Sequence, residues 1–104
     1  MEYTLYKIKS DKLKQWTDWC SELNNSRYEE ALSTIKAEMV LMEAFVIFEV
    51  NDQWYTIGMS VTDGESATPS DGSIQINQQH KFQKKECLEK ISKGKAAYIL
   101  TNFK

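Results

Sequence analysis

The sequence predicts an α+β domain, and three observations carry that expectation. Val40 to Val61 holds two runs of β-branched and aromatic residues joined by Asn51-Asp52, the pattern of a β-hairpin. Helical stripes flank it, Leu13, Trp16, Trp19, Cys20 and Leu23 before and His80, Lys84, Cys87, Leu88 and Ile91 after. Short strand-like segments lie near both ends of the chain.

In chain order, Tyr3 to Lys9 (YTLYKIK) alternates and is β-rich, a first strand. Ser10 and Asp11 are N-cap residue types for the helix of Trp16 and Trp19, which Asn24-Asn25 stops. Ser26-Arg27-Tyr28-Glu29 has the capping-box spacing, and a second helix follows with Tyr28, Ala31, Leu32, Ile35 and Met39 on one side. The two helices make one broken crossover to the hairpin. Thr62 to Ser73 holds the only proline, two of the four glycines and no large apolar residue, and reads as a loop. Its acids Asp63, Glu65 and Asp71 lack calcium-loop spacing, so no metal is expected there. A helix capped by Asn77 then runs to Ser92-Lys93-Gly94, and Ala96 to Phe103 is the last strand.

A two-residue turn at Asn51-Asp52 fixes the hairpin register. Val50, Phe48, Val46 and Ala44 stand opposite Gln53, Tyr55, Ile57 and Met59, a largely apolar face expected to pack on the core. Glu49, Ile47, Phe45 and Glu43 stand opposite Trp54, Thr56, Gly58 and Ser60. That mixed face is too apolar for water and too polar for a dry core, and is expected to meet another subunit or line a wet cavity.

Strand, helix, strand, strand, helix, strand, with right-handed crossovers, gives one ferredoxin-like βαββαβ domain over residues 1–104. Its four-stranded antiparallel sheet carries all helices on one face. The bare face, here expected to carry Phe45, Ile47 and Trp54, calls for a second copy as its cover, hence a homodimer.

Composition narrows the partners. Thirteen basic and 15 acidic residues leave a net charge of −2, against nucleic-acid or anionic-membrane binding. No apolar run reaches the ~18 residues of a spanning helix, and no signal-peptide core is present. Cys20 and Cys87 lie far apart in no metal-ligand spacing, so free thiols and the cytoplasm are expected. No glycine-rich phosphate loop appears, which argues against a nucleotide cofactor, and no other cofactor is expected.

The opening YTLYKIK, the Trp16/Trp19 helix, the EAFVIFEVND-QWY hairpin, and His80-Lys81-Phe82 with Glu86-Cys87-Leu88 together resemble a small bacterial family catalogued as a domain of unknown function among the dimeric α/β barrels. The resemblance spans the chain and implies a ferredoxin-like fold and a dimer. It implies no substrate, since the wider superfamily holds cofactor-independent monooxygenases, isomerases, haem-degrading enzymes and plain ligand binders.

The residue with the best chemical case is His80, the only histidine. It lies on the sheet-facing stripe and, with Asn77 as cap, in the first turn of its helix. Burial and the helix dipole would both keep it neutral and able to accept a proton. Trp16, Trp54 and Tyr55 join it as candidate linings of a pocket for an apolar or aromatic ligand. Glu43 and Glu49, about 20 Å apart on one strand, read as salt bridges at a dimer rim rather than as a catalytic pair. Three function classes remain open: a small-molecule binder, a cofactor-independent enzyme with His80 as general base, and a structural or assembly partner.

Overall fold

The computed structural model describes residues 1–62 and 68–102. It is α+β, an open four-stranded antiparallel sheet with three helices. Strand β1 (Glu2–Ile8) leads to helices α1 (Leu13–Asn24) and α2 (Tyr28–Ala37), then to strands β2 (Val40–Val50) and β3 (Gln53–Thr62). Helix α3 (Gln75–Cys87) and strand β4 (Leu88–Lys95) complete the order. The strands lie side by side as β2-β3-β1-β4.

The hairpin forms in the expected register, from Val50 opposite Gln53 to Glu43 opposite Ser60. Its turn residues Asn51 and Asp52 have φ of 50° and 64°. Two consecutive positive φ values define the turn whose twist matches paired strands, and Asn and Asp are the side chains that tolerate them best.

The sheet's two faces are exchanged relative to the sequence expectation. The core comprises Ile8, Trp16, Trp19, Ile76, Cys87 and Leu88, and Tyr6, Phe45, Ile47 and Trp54 pack against it. The mixed face is therefore the one under the helices. The largely apolar face is open, with Val46 50% and Val50 47% exposed. Polar groups on the covered face are accommodated individually: the Thr56 hydroxyl, fully buried, donates to the Val46 carbonyl at 2.8 Å. Bulk decides the rest, since the large rings of Phe45 and Trp54 bury more area against helices than valines do.

The C-terminal half also departs from expectation. Helix α3 begins at Gln75 with Ile74 at its cap and ends at Cys87, and Leu88 starts β4 without a connecting loop. The stripe through Leu88 and Ile91 suggested that the helix continues to Ser92-Lys93-Gly94, but β1 offers a free edge, and Leu88 pairs with Ile8. A ladder of backbone bonds along that edge outweighs local helix preference. Ala96 to Asn102 form no strand, with Tyr98 78% and Leu100 86% exposed, while Phe103 lies outside the described residues.

None of the expected side-chain caps forms: Lys12, Arg27 and Ile74 hold the cap positions of α1, α2 and α3. Asp11, expected as a cap, has φ 64° in the turn out of β1. Of the expected 62–73 loop, residues 63–67, including Asp63 and Glu65, lie outside the described residues. Beyond them, the Thr68 amide donates to the Glu38 carbonyl at 2.8 Å.

Candidate functional site

Four elements converge on one cluster. Trp16 and Trp19 are three apart on α1, and His80 and Lys84 four apart on α3, so each pair shares a helix face. Glu43 and Phe45 are two apart on β2 and Tyr6 lies on β1, all on the covered face of the sheet.

Phe45 stands at the centre. Its ring meets Trp16 edge-on at 5.5 Å between centroids, His80 edge-on at 6.2 Å and Tyr6 stacked at 6.1 Å. The Lys84 ammonium caps the wall, 5.5 Å from the Tyr6 ring centre and 5.8 Å from that of Phe45. Such placement over aromatic faces is favourable for a cation.

His80 is fixed from one side and open on the other. The Trp19 indole N–H donates to His80 Nδ1 at 2.9 Å. An indole nitrogen only donates, so Nδ1 accepts and the proton of the neutral ring sits on Nε2. Nε2 faces Glu43 Oε1 at 4.0 Å, beyond hydrogen-bond reach. Both side chains keep solvent access, 26% for His80 and 39% for Glu43.

Burial, with a smaller contribution from the Lys84 charge, lowers the His80 pKa to about 4. The first-turn helix dipole is not a cause: α3 starts at Gln75, which puts His80 in its second turn. Burial raises the Glu43 carboxyl above its ordinary range, against an opposing pull from Lys84. Glu38 is raised by burial and by the Glu43 charge. At neutral pH the edge therefore presents a neutral N–H donor beside a carboxylate acceptor, with an ammonium nearby.

Of the residues singled out from sequence, His80 and Trp16 meet here, with ring centroids 6.4 Å apart. Trp16 is fully buried, and its Nε1 has no hydrogen-bond partner among the described residues. Trp54 lies on the same sheet face but pairs with Glu49, four residues and about 13 Å along the strand from the Phe45–Gly58 pair. Tyr55 is on the opposite face, stacked on Phe48 at 5.8 Å, so it cannot share a lining with His80 in one protomer. The expected cavity between sheet and helices is filled at His80 by the rings around Phe45.

Two open grooves of about 400 and 390 Å³ instead run along the outer seam of α1 and α3. Trp19, Glu22 and Gln83 line both, and neither is lined by His80, Trp16, Trp54 or Tyr55.

Glu43, read from sequence as a salt bridge at a dimer rim, lies instead on the covered face beside His80. Its signal was its place two residues from Phe45 on the mixed face, with Lys84 one turn beyond His80.

Among the described residues no three His, Cys, Asp or Glu side chains gather as a metal site, and no helix is long and apolar enough to cross a membrane. Both cysteines are free; burial and the neighbouring Cys87 push the Cys20 thiol up to about 11, and burial raises Cys87 as well. Thiols so shifted stay protonated and are poor nucleophiles.

A family model described as a family of unknown function (DUF6176) matches residues 1–104. No curated protein and no solved structure matches the chain.

Proposed function

We propose a binding role for this chain, which belongs to DUF6176, a family of unknown function whose model spans its whole length. The ligand is a small aromatic molecule carrying a hydroxyl or carbonyl group, held at the edge where His80 and Glu43 meet. One observation carries the reading: His80 Nε2 and Glu43 Oε1 lie 4.0 Å apart, one donor and one acceptor, not bonded to each other. A ligand hydroxyl can accept from the first and donate to the second from the solvent side, where His80 and Glu43 both keep access.

The strand order supports a ferredoxin-like scaffold for this site. Taken from β4 it is β4-β1-β3-β2, antiparallel throughout, with its first crossover broken into α1 and α2. The open sheet face supports a homodimer of the dimeric α/β-barrel kind. Tyr3, Leu5, Val46, Phe48, Tyr55 and Ile57 share that face by register, and a second copy would bury the same patch twice.

An NMR screen of aromatic hydroxyl and carbonyl compounds tests the binding role. Binding should move the His80 imidazole signals and leave Tyr55 unmoved. Shifts confined to Lys14, Asp18, Gln79 and Phe82 would move the site to the outer grooves and contradict the reading.

A further inference from the structure

We infer that Glu43, rather than His80, is the proton acceptor of this site, that His80 acts as a neutral N–H donor, and that the matching substrates are carbonyl compounds with an acidic α-hydrogen. The inference rests on the reading above, in which ligands sit at the His80–Glu43 edge. It follows from donor chemistry. The Trp19 indole, 2.9 Å from His80 Nδ1, has a proton to give and no lone pair. Nδ1 is committed to that bond, and Nε2 already bears the ring's proton. His80 can then accept a further proton only by setting two N–H donors against each other. The basic atom facing the same space is Glu43 Oε1, 4.0 Å from Nε2.

The substrate class comes from what such a pair can do that binding alone does not use. A carbonyl oxygen and the hydrogen on the adjacent carbon can face a donor and a base at once. Glu43 takes that hydrogen as a proton, the C–H electron pair becomes a C=C bond, and the carbonyl π pair moves onto oxygen. Nε2–H donates to that oxygen, and the Lys84 ammonium, held over the Tyr6 and Phe45 rings, lies near the developing charge. Return of the proton from Glu43 to the carbon or the oxygen regenerates the carboxylate, so the step is balanced without oxidant, reductant or cofactor. A neutral imidazole beside a carboxylate base is an established division of labour for such proton transfers. Trp19 acts through His80 and is a positioning residue.

Two measurements on the full chain test this. Nitrogen-15 shifts of His80 should show Nε2 protonated and Nδ1 bare in the wild type, and a mixture of tautomers in Trp19→Phe. A wild-type protein protonated on Nδ1 overturns the inference, and this readout needs no variant to fold. With phenylpyruvate in D₂O, the protein should accelerate exchange of the α-hydrogens, and Glu43→Gln should lose about 10²-fold or more of that acceleration. Binding of phenylpyruvate at His80 without exchange, or exchange that survives Glu43→Gln, overturns this inference and leaves the binding role standing. Absence of any His80 shift across the whole compound screen removes both.

Discussion

Phe45 and Gly58 face each other across the β2–β3 ladder, and the ring lies over the glycine so closely that a Cβ there would sit 2.6 Å from Phe45 Cζ. The ring cannot swing aside freely, because Trp16, Tyr6, His80 and Lys84 surround it. Gly58 therefore sets the depth of the aromatic wall. Gly58→Ala should destabilise the fold by about 1–3 kcal/mol through overpacking. Denaturant titration measures the loss, and the His80 signals should shift as its neighbour moves. A neutral effect would mean the wall is looser than these contacts describe.

The exchange of sheet faces redirects the test of the dimer. Val46 is half exposed on the open face, whereas Ile47 packs against the core beneath the helices. Val46→Lys should give a folded monomer, because an unpaired charge would be buried twice in a sheet-to-sheet interface. Ile47→Lys should instead unfold the chain, by burying a charge in its own core. Sedimentation and circular dichroism separate the outcomes. A wild-type protein that sediments as a monomer at micromolar concentration ends the homodimer proposal.

Met39 follows α2 with φ 61°, a left-handed conformation that costs a side chain with a Cβ about 1 kcal/mol. It is 47% exposed, so little packing is at stake. Met39→Gly should raise stability by about 0.5–1 kcal/mol, visible as a higher thermal midpoint. A lower midpoint would show that the Met39 side chain contributes more than its exposure indicates.

These outcomes mark where the sequence was legible. The Asn51-Asp52 turn predicted the register pair by pair, because few residue pairs accept two positive φ values. The Trp16/Trp19 stripe predicted the buried face of α1. Periodicity was silent on which sheet face the helices cover, since both hairpin faces are rich in apolar residues. Polarity misled there: Thr56 satisfies its hydroxyl on the Val46 carbonyl, and Glu43 stays partly in solvent. The end of α3 was illegible for another reason. Leu88 suits either a helix or a strand, and the free edge of β1 decides between them only once the fold exists. Glu43 was read as a rim residue because its partner His80 lies 37 positions away in sequence and meets it only through the packing of α3 on the sheet.

Protonation of His80 should be visible in stability. Its native pKa, about 4, lies below the ordinary 6.5, so the unfolded chain binds a proton that the native protein refuses. The stabilising contribution is full above pH 6.5 and is lost as pH falls from there toward 4, on the order of 3 kcal/mol in all. Glu43 acts in the opposite sense, since a raised carboxyl binds its proton more tightly in the native state and softens the fall. The denaturation midpoint should accordingly be higher at pH 7.5 than at pH 4.5.

The most direct test of the site is an NMR titration of the imidazole of His80, which no other histidine obscures. A ring held as acceptor by Trp19 and buried beside Phe45 should stay neutral down to roughly pH 4, well below the model-peptide value. A midpoint at or above that value would mean that His80 is solvated and free of Trp19, and the donor–acceptor edge with Glu43 would not exist.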